Sequence, residues 1–354
     1  MLPNKRIVTI ALLSFVVLFV TALGFAGYLW FSFASAVDDM YEPLPSVREL
    51  PGPIVDSERS LPERLPDSAA TSVSIVPANV APEGAVDVSH PFSLPAEAIE
   101  RLRYPDIDDK DPFLLLLLGV DERSRDRGRS DTMLLLAIHP GSKSVKVLSI
   151  PRDTRLRLPE VEREEKINHA YAYGGSALAV AAVERLLGVP IAYYVRTNME
   201  GFQDIVDTVG GVSVDNAFAF SNEGFDFPQG TLALNGEEAL AYVRMRYDDP
   251  KGDFGRNDRQ RQVLRAIGGN VMDVGSAGKL PGLLSRLSEY VRTNLRRDDM
   301  IGLATGYRAA MGNVSELGLS GQGRMIDGLY YYVVSAEERE RVRGLLLEQV
   351  GYAP

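Results

Sequence analysis

The sequence predicts a mixed α/β domain three layers deep, with helices on both faces of a largely buried sheet, preceded by one membrane-spanning helix. Three observations carry this expectation. Short continuous apolar runs at 113–121, 131–140 and 144–151 end in polar or turn residues, as strands buried on both faces do. Segments of helical period, led by GGSALAVAAVERLLG at 174–188, alternate with further strand-like runs. Residues 7–36 form a stretch of thirty without a charged side chain, where a helix needs about 20 to cross a bilayer core.

Taken in order, residues 1–6 read as a cytoplasmic N-terminus, because Lys5 and Arg6 precede the apolar stretch while Asp38, Asp39 and Glu42 follow it. The positive-inside bias then places everything after about residue 37 outside the cell membrane, with Tyr28 and Trp30 at the outer interface. The rival reading is a cleaved leader, since Ala34, Ser35 and Ala36 form a small-residue site, but a leader's apolar region is typically only about 7–15 residues long. Residues 37–112 hold 12 of the 21 prolines and 16 Asp/Glu against 6 Lys/Arg. They read as an extended acidic linker, with 95–103 long enough for a turn or two of helix. This segment accounts for the whole formal charge of −10, so the folded part is close to neutral and its ligand is not indicated by net charge.

A single domain is expected over 113–352. Pro140 and Gly141 turn the second apolar run into the third, giving a hairpin. The helix at 174–188 leads to a strand at IAYYVRT, a helix at NMEGFQDIVDTVGG and a strand at VSVD. Asn235 and Glu238 make a capping-box start for another helix, and a longer one runs from near Asp253 toward Asn270. Helices near 280–292, 297–311 and 336–350 flank strands at 314–319 and 329–334.

With no Cys and only three His, disulfides, thiolate metal sites and a cysteine nucleophile are excluded. The chemistry lies in polar clusters at strand ends. In GVDERSRDRGRSDTM, Asp121 ends one strand and Asp131 begins the next, with Arg123, Arg125, Arg127 and Arg129 between. Two such carboxylates suit Mg²⁺ or Mn²⁺; a solvated Arg-rich loop is the alternative. In SIPRDT, Arg152 and Asp153 leave the sheet behind Pro151, whose alternative is a local ion pair. In EEKINHAYAYGG, Lys166 and Asn168 precede a helix start able to receive an anion, while His169 reads as a packed, hydrogen-bonded residue. In AYVRMRYDDPKGDFGRNDRQRQVL, Arg244 and Arg246 point the same way if the segment is extended, and Arg256 and Gln260 stack on one helix face. Asp253 precedes that helix, placed to cap it or orient an Arg. Several guanidiniums around one point suit more than one phosphate. Nucleic acid is disfavoured by the outward placement and the lack of a basic stripe.

Across 113–350 these motifs, with DTVGGV and TNLRRDDM, resemble the LytR-CpsA-Psr proteins of bacterial cell envelopes in both content and order. The resemblance implies an α/β/α fold whose apolar cavity holds a polyprenyl chain, with the pyrophosphate at an Arg-lined mouth beside a divalent cation. It implies phosphotransferases that move a glycan polymer from that lipid to a peptidoglycan hydroxyl. By the same resemblance Asp121 and Asp131 ligate Mg²⁺ or Mn²⁺, and Arg129, Arg152, Arg244, Arg246, Arg256 and Gln260 contact phosphate. Asp153, Lys166, Asn168 and Asp253 support them, Lys166 at the pyrophosphate. Arg152, Arg246, Arg256 and Asp253 form the catalytic set. Phosphoryl transfer asks chiefly for positioning and charge neutralisation, with Asp253 or Asp131 as proton acceptor. The alternatives are a metal-dependent polyprenyl-pyrophosphate phosphatase and a non-catalytic polyprenyl-phosphate binding protein. A transcription regulator fits least, because the anchor would put the domain across the membrane from DNA.

Overall fold

The computed structural model describes residues 30–44, 94–122, 127–246, 249–273 and 287–352. The first apolar run forms β1 (Phe113–Val120), paired antiparallel with β2 (Ser130–His139), which turns at Pro140 into antiparallel β3 (Ser144–Ser149). On the other side of β1, β6 (Tyr193–Asn198) runs parallel to it. With β11 (Val291–Thr293) and β12 (Val314–Leu317) the sheet has six strands in the order β11-β6-β1-β2-β3-β12. The outer pairs are of opposite kinds, β11 antiparallel to β6 and β12 parallel to β3, so the sheet is mixed.

Side chains alternate across the sheet with period two. Leu114, Leu116, Leu118 and Met133 share one core with Leu178 and Val183 of α3 (His169–Leu187) and Leu347 of α8 (Ala336–Gln349). Phe113, Leu115, Leu134 and Val147 share the other with Tyr307 and Ala310, which follow α7 (Arg297–Gly306). Burial on both faces explains why these strands read as unbroken apolar runs; each fully buried Leu or Val contributes about 1.5–3 kcal/mol. The helix expected from 174 begins earlier, at His169, and breaks at Gly174 and Gly175. Gly175 has φ 62° and ψ −153°, a conformation that needs the missing Cβ, so a first turn and a long buried segment share α3 at an angle.

A satellite core gathers α4 (Met199–Thr208), β7 (Val212–Asn216), β10 (Gly230–Leu234), α5 (Gly236–Arg244) and α6 (Asp253–Asp273). The expected capping box starts α5: Glu238 N donates to Asn235 Oδ1 and Asn235 N to Glu238 Oε2, both at 2.9 Å. The turn between α5 and α6 is held by a buried pair, Arg259 Nη1 to Asp249 Oδ2 at 2.5 Å, while Arg259 Nε donates to Tyr242 O at 3.0 Å. Gly255 makes room for it, since a Cβ there would stand 1.8 Å from Asp249 Oδ2. Removing one partner of such a pair leaves a buried charge uncompensated, so Asp249→Ala is expected to cost about 3 kcal/mol. The check is a lower urea midpoint at unchanged m-value; an unchanged midpoint would show that the pair contributes nothing.

The N-terminal region departs from expectation. The anticipated membrane span lies outside the described residues up to 29, and its last part belongs to α1 (30–40), where Trp30 and Phe31 are exposed but Ala34, Ala36, Val37 and Met40 are buried. Ala36 and Met40 pack on Val291, so this end of the stretch faces protein. No described helix is long and apolar enough to cross a membrane. Both ends of the anticipated linker also join the domain. Leu44 and Leu94 pack on the same core, and α2 (Ala96–Arg103) buries Ala98 and Leu102. Asp111 then accepts from Arg101 Nε at 3.1 Å and from Asp106 N at 3.1 Å. The folded body therefore includes 94–112, a stretch that reads as linker in the sequence because its few apolar positions stand isolated among charges. Residues 45–93 lie outside the described residues.

Candidate functional site

The site is built where β1 and β3 end and β2 begins. Val120 faces Ser130, and Asp121 N donates to Arg129 O at 3.0 Å, which puts Asp121 and Asp131 at neighbouring strand ends. Behind β3, Arg152 Nη1 donates to Asp131 Oδ1 at 3.0 Å. A small hairpin of β4 (Arg155–Arg157) and β5 (Glu164–Lys166) then returns the chain. Beyond it Ile167 N donates to Thr154 O at 2.8 Å and Asn168 N to Arg152 O at 3.3 Å. Lys166 Nζ thereby reaches Asp153 Oδ1 at 2.7 Å and Asn168 Nδ2 reaches Asp131 Oδ1 at 3.4 Å. Three sequence clusters become one charged network.

The helix α6 is fastened to the end of β3 through Arg261. Arg261 Nη1 donates to Ser149 Oγ at 2.7 Å and Nη2 pairs with Glu316 at 3.1 Å. Asn257, Asp258 and Arg261 line, with Ser149, Pro151 and Tyr332, a cleft of about 370 Å³. One residue before Asn257 stands Arg256, only 6% exposed, and Gln260 follows one turn on, half-buried.

The sequence pattern described as the LytR_cpsA_psr family matches residues 82–346. This chain belongs to the LytR-CpsA-Psr family. It is 46% identical over 243 residues, 68% of its own length and 80% of the relative's, to the polyisoprenyl-teichoic acid–peptidoglycan teichoic acid transferase TagU of Halalkalibacterium halodurans. Among solved structures it resembles Bacillus subtilis TagU with a TM-score of 0.57 and 38% identity, covering 68% of this chain and 97% of that one. It also resembles TagT bound to LIIa-WTA, with a TM-score of 0.61, 31% identity and coverage of 72% and 96%. The α/β fold with its mixed central sheet is thus that of LytR-CpsA-Psr structures.

Within this LytR-CpsA-Psr domain the remaining expected residues fall as follows. Arg129 is exposed at the start of β2, and Arg246 is half-buried in the segment after α5. Asp253 begins α6, but its side chain lies outside the described residues, as do Arg123 and Arg125. Arg127 is exposed and donates to Tyr173 O at 3.4 Å. Arg244 corrects an expectation: the segment is not extended there, because Arg244 is the last residue of α5. Its Nη1 pairs with Glu223 at 3.1 Å, beside the hairpin of β8 (Phe220–Asn222) and β9 (Phe225–Phe227). The helical turn separates it from Arg246, so the two do not share a direction by strand alternation.

His169 is packed, as expected. It is hydrogen-bonded to Glu165 Oε2 at 2.9 Å and meets Tyr173 edge-on at 6.3 Å, and burial holds its pKa below the usual imidazole value.

The donor set fits a hard divalent cation. Asp121 and Asp131 supply carboxylates, and Asn168, 3% exposed, carries a buried Oδ1 with no hydrogen-bond partner among the described residues. Two carboxylates with a neutral oxygen suit Mg²⁺, which takes its other ligands from water or phosphate. Among the described residues no group of three or more His, Asp or Glu is placed to hold a metal ion, so the cation's remaining ligands would not come from further carboxylates or imidazoles there.

Sequence reading missed a second network. Arg196 at the end of β6 pairs with Glu122, which also accepts from Tyr171 OH at 3.2 Å. A charge at the end of an apolar strand was its only sequence signal.

Proposed function

We propose that this protein is a membrane-anchored, extracytoplasmic phosphotransferase that moves a glycan polymer from a polyprenyl-pyrophosphate carrier to a peptidoglycan hydroxyl. The carrying observation is the network in which Arg152 rests on Asp131 at the end of buried strands, with buried Arg256 on the helix that Arg261 fastens to Ser149 at the end of β3. The TagU and TagT relatives, named for teichoic acid transfer and wall teichoic acid binding, support it.

In this reading Arg152, Arg246 and Arg256, with Arg129, Lys166 and Gln260, bind the pyrophosphate oxygens and balance their charge. Asp153 orients Lys166, and Asn168 orients Asp131. The acceptor oxygen bonds to the sugar-side phosphorus and the bridging P–O bond breaks, releasing polyprenyl phosphate. The hydroxyl proton passes to Asp131 or Asp253. Mg²⁺ or Mn²⁺ on Asp121 and Asp131 would neutralise charge on the phosphate oxygens.

Product analysis tests the proposal. Purified full-length protein given lipid-linked glycan and peptidoglycan is expected to yield glycan joined to wall. Lipid left unchanged would indicate a binding protein, and cleaved lipid with free glycan a phosphatase. For topology, protease treatment of intact cells is expected to remove the domain, and mature protein beginning near Val37 would refute the anchor.

A further inference from the structure

We propose that residues 38–44, directly behind the anchor, form a strap that clamps the catalytic domain at a fixed height on the membrane, and that Arg196 is a positioning residue joining this strap to the carboxylate loop at Asp121. The proposal rests on the anchored-transferase reading above.

The strap is held by polar and apolar contacts along its length. Asp38 Oδ2 pairs with Arg297 at 2.5 Å, Tyr41 bridges Thr293 in parallel, and Glu42 N donates to Thr293 O at 2.7 Å. These contacts add the strap to the free edge of β11, a surface otherwise open to pairing. Ala36 of the helix that leads into it and Met40 of the strap itself are buried on Val291, against Val195, Ile205 and Leu287.

At Glu42 the strap reaches inward. Its Oε2 accepts from Tyr194 OH at 2.8 Å and from Arg196 Nε at 3.4 Å. The same guanidinium pairs through Nη1 with Glu122 and lies over the Tyr171 ring, 5.9 Å from its centroid. Glu122 is the neighbour of Asp121, so one half-buried Arg, with 15% side-chain exposure, ties strap and site loop together. The planar fork of Arg suits this double role, whereas an ammonium would serve one carboxylate at a time.

The acidic segment changes meaning accordingly. Residues 45–93 begin after Leu44 and end before Leu94, both seated on one core. Because the residues on both sides of it are seated on the domain, the length of 45–93 does not set the distance between domain and membrane. A free tether of that length would let the domain wander about 40 Å from its anchor by flexible-chain scaling. The strap keeps the site within the layer where a lipid-linked pyrophosphate is confined, which raises its effective concentration there.

The test uses the full-length protein in proteoliposomes. One substrate is a long-chain polyprenyl-pyrophosphate glycan in the bilayer; the other is a short-chain, water-soluble analogue. Asp38→Ala with Met40→Ala, which loosens the strap on Arg297 and Val291 and spares the Glu42–Arg196 pair, is expected to lower transfer from the embedded substrate about tenfold, as lost effective concentration, and to leave the soluble one within about twofold. Removing 55–85 is expected to change neither. Because the chain has no Cys, Tyr41→Cys with Thr293→Cys gives one defined crosslink; neighbouring strands lie about 4.8 Å apart, within disulfide range. The oxidised protein is expected to transfer from both substrates at the wild-type rate. Arg196→Met is expected to lower kcat for both substrates, with partial rescue in Arg196→Lys. Wild-type transfer from embedded substrate by the strap variant, an inactive crosslinked protein, or a loss on removing 55–85 as large as that of the strap variant would overturn the strap. A change in KM alone at Arg196 would overturn the coupling. If the wild type transfers from neither substrate, the transferase reading fails, and the strap then stands or falls on whether the crosslink forms.

Discussion

Each of Arg152→Lys, Arg246→Lys and Arg256→Lys is expected to lower glycan transfer by about 100-fold, the scale of losing a preorganised donor to developing charge. In the proposed reaction a pyrophosphate brings about two negative charges to the ends of buried strands, tolerable only against paired, hydrogen-bonded cations. Lysine keeps the charge and loses the two parallel N–H donors that match a phosphate edge. Arg152 approaches from the end of β3 and Arg256 from α6, with Arg246 from the segment between the helices. Loss at one is therefore not made good by the others. Arg125→Lys, in the loop, is the control and is expected to change transfer far less. Binding assays should show the Lys variants weakened for polyprenyl pyrophosphate more than for polyprenyl alcohol. Transfer at the wild-type rate in all three, or equal binding of alcohol and pyrophosphate, would make these arginines ordinary ion pairs.

Asp121→Ala combined with Asp131→Ala is expected to reduce transfer by about 10³-fold or more, since several kcal/mol of transition-state charge stabilisation go with the cation. Calorimetric titration with Mg²⁺ or Mn²⁺ should lose its binding heat, while thermal unfolding stays close to wild type because both residues sit at strand ends, outside the two apolar cores. Asp131 also accepts from Arg152 and Asn168, so the Ala change releases two donors. Asp131→Asn separates the effects: the amide oxygen preserves an acceptor without the charge. It should retain the fold and still lose cation binding. Normal transfer by the double variant in the presence of a chelator would end the cation proposal.

Much of the architecture is carried by short-range signals. β1, β2 and β3 announce themselves because burial on both faces demands uninterrupted apolar runs, and Pro140 and Gly141 mark the turn between two of them. Asn235 and Glu238 mark the start of α5 three residues apart, because a capping box is closed within one turn. The short strands β4, β5, β8 and β9 escape notice for the converse reason: three residues each are too few to display a period.

The candidate site divides along the same line. By itself the sequence determined the strand-end placement of Asp121, Asp131 and Arg152, the helical spacing of Arg256 and Gln260, and membership of the LytR-CpsA-Psr family. Each of these depends on residue type and local spacing. Tertiary structure alone decided that Arg244 turns to Glu223 and that Arg261 fastens α6 to Ser149 at the end of β3. It alone brought Glu42 to Arg196, 154 positions along the chain. An ion pair between distant segments leaves no periodic trace, since its energy depends on where packing delivers two side chains and not on what stands beside either of them in sequence.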